Sequence, residues 1–582
     1  MFWQTRYPTV SVSDALEAYD YIIVGGGTAG CVIANRLSQD PHVSVLVLER
    51  SGVKVGWLST IPLLSSHFAS DGSRSRVLRS TPQKHLGGRT MELVGSNSLG
   101  GASKINAMLY NRGVPAEYNA WRDAGRVGWG YQDMLQFFTR SETDLDQDPQ
   151  NPKPYHGISG EWHNRSHKVP FWGHTPLIVK ATTALGVPYV DDCNDPSQPA
   201  YGCTKMHYTM DSSGRRSSTL TAFLPADLVR ARSSNLHVCT PAIVQRIQVS
   251  PDAGDSGEAS AEGVWIQNGT GGPSKFVRAK RQVILTAGPF YSAQMLMLSG
   301  IGPADHLKEH QIPVRKALPG VGSHLQDHIS VPVQFRIPLR DSITQLQLRP
   351  WLIIGIFFQW LLFGTGWLLS PVPELSIFIQ SRLLDKESRV TMRTEKDKDA
   401  SLPLNLPDIE VMPIPHGDLK KVVDGGLSLF NVTLRPTSTG TVRLASKDPR
   451  TDPVVDPNYF ATEHDWQVMR SAILFSLRIK RELAEQGYAI TDANVPAGPT
   501  DADIDAFITS EGQSTYHYSS SCRMAPESEG GVVDDRLRVH GVRNLRVADS
   551  SVFPSILGAH LVAPTVAVAE KCAEMIREDD KL

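Results

Sequence analysis

Cysteine is scarce in this chain. Six occur in 582 residues (Cys31, Cys193, Cys203, Cys239, Cys522, Cys572), and none pair as C-x-x-C. So few over such a length make no disulfide framework. No Cys/His spacing has the form of a zinc site, so no metal is expected. The six read as small buried hydrophobes of a reducing compartment. Net charge is nearly absent: 58 Lys and Arg against 60 Asp and Glu leave −2. That removes the footprint of a general nucleic-acid binder, and no polybasic block stands ready for an anionic membrane. The first twenty residues lack a basic segment followed by an apolar one, so no secretory signal is expected and the protein reads as intracellular and cytoplasmic. Sequons at Asn164, Asn268 and Asn431 then read as chance. What remains is an ordinary globular composition, 41% hydrophobic and 20% charged, long enough for two to four domains of about 150 residues each.

The strongest local signal is YDYIIVGGGTAGCVIANRLSQDPHVSVLVLERSG, from Tyr19. Tyr21 to Val24 reads as a buried parallel strand, Cys31 to Leu37 as a helix, and Val43 to Leu48 as a second strand ending in Glu49. This is a βαβ unit with the dinucleotide fingerprint. Gly25 permits the tight turn, Gly27 lets a pyrophosphate approach the backbone, and Gly30 lets helix and strand pack closely. Thr28 and Ala29 lie on the helical turn whose amides face the phosphates. Glu49 is placed to accept ribose hydroxyls, with Arg50 beside it. The fingerprint alone does not separate NAD from FAD.

Further blocks are more specific. GSNSLGGASKINAMLYNRGVPAEYNAW runs from Gly95, RRSSTLTAFL from Arg215, VILTAGPFYSAQMLMLSGIGPADHL from Val283, PGVGSHLQDH from Pro319 and LRPTSTGTVRLASKDPRTDPVVDPNYF from Leu434. The last eighty residues hold YHYSSSCRMAP, VVDDRLRVHGVRNLRVADSSVFP and GAHLVAPTVAVAEKCAEMI. In this order and approximate spacing the chain resembles the glucose–methanol–choline (GMC) family of FAD-dependent oxidoreductases. The resemblance implies an α/β fold: a Rossmann-like FAD-binding domain (residues 18–160, 211–328 and 501–582) with an inserted α+β substrate domain built on an antiparallel sheet (161–210 and 329–500). It also implies that His517 is the general base and His560 its partner on the substrate hydroxyl. An imidazole suits that role because its ordinary pKa is about 6.5. Leu99, Gly100, Gly101, Asn106, Ala107 and Met108 would wrap the pyrophosphate and ring system. Val244 would meet adenine, and Asp549, Ser550 and Ala559 to Thr565, including His560, would reach the flavin from the C-terminal side.

Some positions depart from the family pattern. Ile105 stands where some relatives attach FAD through histidine, so non-covalent FAD is expected. Ser96 stands where a basic residue is frequent, and Tyr518 with Ser519 to Ser521 replaces a Pro-x-Gly-Thr pattern. His324 and His328, in HLQDH, are read as part of a structural turn rather than a metal pair. Leu434 to Leu444 reads as a strand pair turning at Gly440; Asp144 to Tyr155 and Ser250 to Ser274 read as loops.

Arg349 to Pro371 (RPWLIIGIFFQWLLFGTGWLLSP) is as apolar as a membrane span but interrupted by glycines. It is expected to be a buried or channel-lining helix, with a peripheral membrane or dimer contact through Trp351–Leu369 as the alternative, and no transmembrane span.

The reaction the resemblance implies is oxidation of an alcohol, expected to be aromatic or lipophilic, with a specialised-metabolite intermediate among the candidates, to a carbonyl: proton to a histidine, hydride to flavin N5, electrons to oxygen or another acceptor. Alternatives on the same scaffold are a hydroxynitrile lyase-like or fatty-acid photodecarboxylase-like enzyme, and a non-catalytic flavoprotein that docks on a membrane or partner.

Overall fold

The apolar runs around the glycine fingerprint become the middle of a sheet. In the computed structural model, which describes residues 7–54, 56–65, 72–148, 150–250, 259–417 and 424–581, Ala18–Val24 lies parallel to Val45–Leu48 on one side and to Lys275–Leu285 on the other. Both faces of these strands are covered, so Val45–Leu48 is buried at every residue, as a parallel strand under helices must be. Leu236–Cys239 extends the parallel edge, and Leu545–Val547 pairs parallel with Lys275–Leu285. Ala259–Asn268 and Ala242–Ser250 continue antiparallel beyond it. The Thr28–Leu37 helix crosses between the first two strands and packs on the C-terminal helix Val562–Asp579.

The loop expected over Ser250–Ser274 is therefore corrected. Positions 251–258 lie outside the described residues, but Ala259–Asn268 is a full strand, its buried Ala259, Ala261, Val264 and Ile266 set among more exposed neighbours.

A second sheet is mostly antiparallel. Its order is Thr491–Asn494, Ile329–Ile337, Gly425–Thr433, Ile409–Ile414, Leu375–Ile379, Gly202–Lys205 and Tyr189–Val190, with Gln513–Ser514 also paired to Ile329–Ile337. The 23-residue helix Glu463–Glu485 covers one face, and Ser476 donates to Asn431 there at 2.6 Å. Side chains alternate along a strand, so Val432 and its cross-strand neighbour Glu410 point the other way, as does Phe378 opposite Glu410. That second face is the wall of the site described below.

The strand pair expected over Leu434–Leu444 does not form. Gly425–Thr433 ends first, Pro436 has no N–H to lend a ladder, Gly440 bridges Leu325, and Thr441–Arg443 pairs instead with Val454–Asp456.

The Asp144–Tyr155 segment is tied down by a buried ionic clamp. His156 contacts Glu142 through Nδ1 at 3.1 Å and Asp192 through Nε2 at 2.8 Å, and Arg112 bonds Glu142. Burial alone would lower the His156 pKa; Asp192 and Glu142 outweigh it and raise it to about 9. Asp144, His156 and His207 come close enough to suggest metal ligation. However, an imidazolium donating through both nitrogens has no lone pair for a metal. The clamp predicts a pH dependence. Its folded pKa lies above the unfolded value of about 6.5, so its stabilisation is whole below pH 6.5 and is lost as pH rises through about 9. That loss is on the order of 3 kcal/mol. Urea unfolding at pH 6 and pH 9.5 should show it, and His156→Gln should flatten the difference; an equal slope in the variant would contradict this assignment.

The apolar segment forms the helix Leu352–Phe363, and it is not buried. Only Trp360 among its residues is enclosed. Among the described residues no helix is long and apolar enough to cross a membrane.

Candidate active site

The glycine loops meet. Gly30 lies so close to the preceding turn that a Cβ there would sit 2.0 Å from Gly25 O. At Gly101, φ is +58° and a Cβ would sit 2.7 Å from Gly27 Cα. Gly100 N donates to Gly26 O at 2.7 Å, and Ser103 N donates to Thr28 Oγ1 at 3.3 Å. Gly27, the N-cap of Thr28–Leu37, places no side chain on the first-turn amides, and no acid stands in that turn. The helix N-terminus is thus open to an anion. Ala29 is buried behind it. This cradle, which any Cβ would fill, fits a dinucleotide pyrophosphate.

The ribose end is more engaged than expected. The buried Glu49 carboxylate already accepts Gly26 N at 3.1 Å and Ser51 N at 2.8 Å, and burial raises its pKa. Two acceptor oxygens still leave lone pairs for ribose hydroxyls. Arg50 holds its guanidinium over the Tyr291 ring at 5.0 Å. Val244 lies in the strand whose Ala242 N donates to Glu49 O at 2.8 Å, at the Glu49 end of the sheet.

Leu99 is fully buried beside Gly26. Asn106 is held from both ends. Arg216 donates to its Oδ1 and, at 2.6 Å, to its backbone oxygen, and Met108 N also donates to Oδ1. Ala107 and Met108, the latter at φ +64°, pack into an apolar cluster with Phe430 and Met412. Arg216 itself is buried without a carboxylate partner among the described residues; burial, then Arg74, lowers it to about 9. The cation absent at Ser96 has a substitute nearby, since Ser96 pairs with Ser75, next to buried Arg74.

On the C-terminal side, Asp549 accepts Gly288 N, Ser292 Oγ and Ser551 N, fixing the helix that follows Thr286. Ser550 Oγ donates to Tyr518 O at 3.0 Å. Ala559 is buried, and the Thr565 hydroxyl closes its own helix on Leu561 O at 2.6 Å.

Three histidines meet where two were expected. The His517 and His560 rings stand perpendicular with centroids 5.0 Å apart, and His328 stands perpendicular to His517 at 5.1 Å. The structural-turn reading of HLQDH is corrected accordingly: His324 lies near Gly530, while His328 enters the site. Its hydrogen bonds settle the tautomers. His328 Nε2 lies 2.9 Å from Leu434 O, which only accepts, so Nε2 carries the proton. Burial holds His328 neutral, at about 4, so its Nδ1 is a bare acceptor. His517 Nδ1, 2.9 Å away, must therefore be the donor. A neutral His517 then has its lone pair on Nε2, which has no protein partner among the described residues. Burial first, then His560 and His328, pushes His517 well below the usual histidine value.

The remaining groups hold this arrangement. Asp327, raised to about 6 by burial, accepts His517 N at 2.7 Å together with Tyr459 and Ser514 hydroxyls. Thr515 Oγ1 donates to His328 O at 2.8 Å. Ser519 bridges Gln326, so the triple serine that replaces the family pattern still ties down the segment that carries His517. His560 N donates to Asn111 Oδ1 at 2.7 Å, and His560 Nε2 lies 3.2 Å from Glu410, which also takes the Ser376 hydroxyl. Burial would raise Glu410, but His560 and these hydrogen bonds hold it below the usual value, ionised. His560 Nε2–H is thereby committed and Nδ1 left open. Glu410 belongs to the outward face of the second sheet, beside Phe378, Val432, Met412 and Phe430. The pocket therefore offers a neutral nitrogen base, a second imidazole and an apolar wall.

Comparison with known proteins points to one family. Residues 19–330 and 436–569 match the N- and C-terminal parts of the GMC oxidoreductase family. The chain is similar to an oxygen-dependent choline dehydrogenase from Yersinia pseudotuberculosis, 34% identical over 575 residues that cover 96% of this chain and 94% of that one. Among solved structures it is similar to an FAD-dependent oxidoreductase from Chaetomium thermophilum (26% identity, TM-score 0.84, 97% and 100% coverage). It is also similar to pyridoxine 4-oxidase from Mesorbium loti (25% identity, TM-score 0.79, 96% and 99% coverage).

Proposed function

The chain belongs to the GMC oxidoreductase family and binds FAD, and from that premise we propose that it oxidises an uncharged, apolar alcohol to the carbonyl compound. What carries the reading is the bare Nε2 of His517, on a ring 5.0 Å from that of His560, whose Glu410 partner lies on an apolar sheet face. His517 Nε2 accepts the hydroxyl proton while His328 Nδ1 holds the proton already on Nδ1. His560, anchored by Glu410 and Asn111, stands beside His517 and bounds the space in which the hydroxyl must sit, its Nδ1 a second acceptor. Bound FAD supplies the acceptor for the hydride that leaves the carbinol carbon, and oxygen or another oxidant completes turnover. A base whose lone pair is fixed in advance acts where the proton leaves.

The relatives named for choline and pyridoxine both carry alcohols, but a quaternary ammonium needs a free carboxylate or an aromatic cage. Glu410 is engaged by His560 and Ser376, and Phe378 and Phe430 stand among Met412 and Val432. An aryl or medium-chain alcohol should therefore exceed glucose and choline in kcat/KM by about a hundredfold; equal values, or a preference for choline, would overturn the substrate class. FAD is held without a covalent bond, since Ile105 offers no nucleophile at the position where some members are linked. Acid denaturation should release the yellow flavin into the supernatant, and flavin remaining on the precipitated chain would contradict this.

A further inference from the structure

A surface helix ordinarily turns a polar face outward. Leu352–Phe363 does not. Trp360, with Ile356 and Phe357, packs onto Ile61, Leu63 and Leu368, while Trp351, Ile354, Phe358, Leu361, Leu362 and Phe363 are 52–72% exposed. At about 100° per residue these span an arc of roughly 200°, with Gln359 its polar member. Aromatic side chains ring the base: Trp57 edges onto Phe357 and Trp360, and Trp367 lies 4.6 Å from Trp172.

The charge within this segment has one sign, and at its margin cations outnumber acids, Asp211 accepting the Arg215 backbone N–H. From Ser342 to Pro373 the sequence contains no acid, and Arg349 is the one charged residue. The fold brings further cations to the margin. Lys54 precedes Trp57, and Lys168 lies four residues before Trp172. Arg215 follows Gly214, whose Cβ would touch Leu369. Lys54, Lys168 and Arg349 are exposed and Arg215 half-buried. Among the described residues none of the four is in an ion pair. Basic residues scattered along the sequence thus adjoin the segments on which the helix packs.

We propose that Trp351–Phe363 is an interfacial anchor that enters the outer layer of an anionic lipid membrane, with Lys54, Lys168, Arg215 and Arg349 on the headgroups. An apolar face flanked by Trp and basic residues is the chemistry of such anchors. A second copy of the chain fits less well. A twofold interface sets the same patch against itself, bringing each cation toward its own equivalents. The docked face lies one layer from the site, because Ser65, in the Trp57–Ser65 segment beneath the helix, donates to Met108 Sδ at 3.7 Å and accepts from Arg216 at 2.8 Å.

Flotation of the holoprotein with vesicles of phosphatidylcholine, alone or mixed with phosphatidylglycerol, tests the proposal. The wild type should float with the anionic vesicles. Ile354→Glu/Phe358→Glu/Leu362→Glu should lose at least about tenfold in binding. Lys168→Glu/Arg349→Glu should lose about fivefold per position on the anionic vesicles alone. Both variants should keep FAD and turnover of a water-soluble alcohol. A wild type that stays with neither vesicle, or a triple variant that floats as well as the wild type, would overturn the proposal. So would a wild-type dimer, indifferent to lipid, that the triple substitution dissociates; that result would assign the surface to a second copy.

Discussion

His517→Ala should lower the anaerobic rate of flavin reduction by about a thousandfold, the scale of a lost general base, while the purified protein stays yellow. Its imidazole contacts His328, Thr515 and His560 rather than the glycine cradle, so cofactor content should not change. The side chain's short contact is with His328, Thr515 Oγ1 standing farther off at 3.4 Å, and its backbone is fixed independently by Asp327, so an alanine leaves the segment in place. The pH profile carries a second signature. A base acts when unprotonated, and burial pushes His517 well below the ordinary value. The acid limb of kcat/KM should accordingly fall below pH 6.5, with a flat profile above it. A midpoint above 6.5 that survives His517→Ala would assign the base elsewhere.

His328→Leu should cost about a hundredfold in kcat with KM little changed, because His328 acts through His517. With the acceptor gone, His517 loses the bond that keeps its proton on Nδ1, and the tautomer with Nε2–H cannot accept from an alcohol. A purely structural role predicts something else: a lower melting temperature, since Leu434 O loses its donor, at unchanged rate. The double variant His328→Leu/His517→Ala separates the two. If His328 works only through His517, the double variant is no slower than His517→Ala alone; additive losses would show an independent role.

The parts of this site that were legible in the sequence were local or carried by ordered motifs. Tyr21 to Glu49 declares its strand, turn and helix within thirty residues, and the structure places the glycines in contact with Gly100 and Gly101 as the motifs implied. His517 and His560 stand in C-terminal blocks of the family, and they meet. His328 was hidden because its role depends on Ile329 and Ser330 pairing with Ser514 and Gln513, a register between segments far apart in the chain. Glu410 was hidden for a similar reason: IEVMPI reads as any alternating strand until Phe378 and Val432 are set beside it. Arg216 sat in a quoted block without a stated role, and its buried hydrogen bonds to Asn106 and Ser103 supply one. The Leu352–Phe363 helix misled in the opposite direction. Apolar composition reports what a segment avoids, not whether protein or something else covers it, and here protein covers one side alone.

The account rests on an alcohol surrendering a proton to His517 and a hydride to bound FAD. Its most direct test is the visible spectrum of the purified protein, kept anaerobic and dark, while aryl, aliphatic and sugar alcohols are added in turn. The account predicts that the oxidised-flavin bands bleach with an apolar alcohol in the wild type, bleach about a thousandfold more slowly in His517→Ala, and return when air or another oxidant is admitted. Oxidised bands that persist across the whole panel, with substrate consumed only in light or without any change in flavin colour, would contradict it and favour a light-driven or lyase-type reaction.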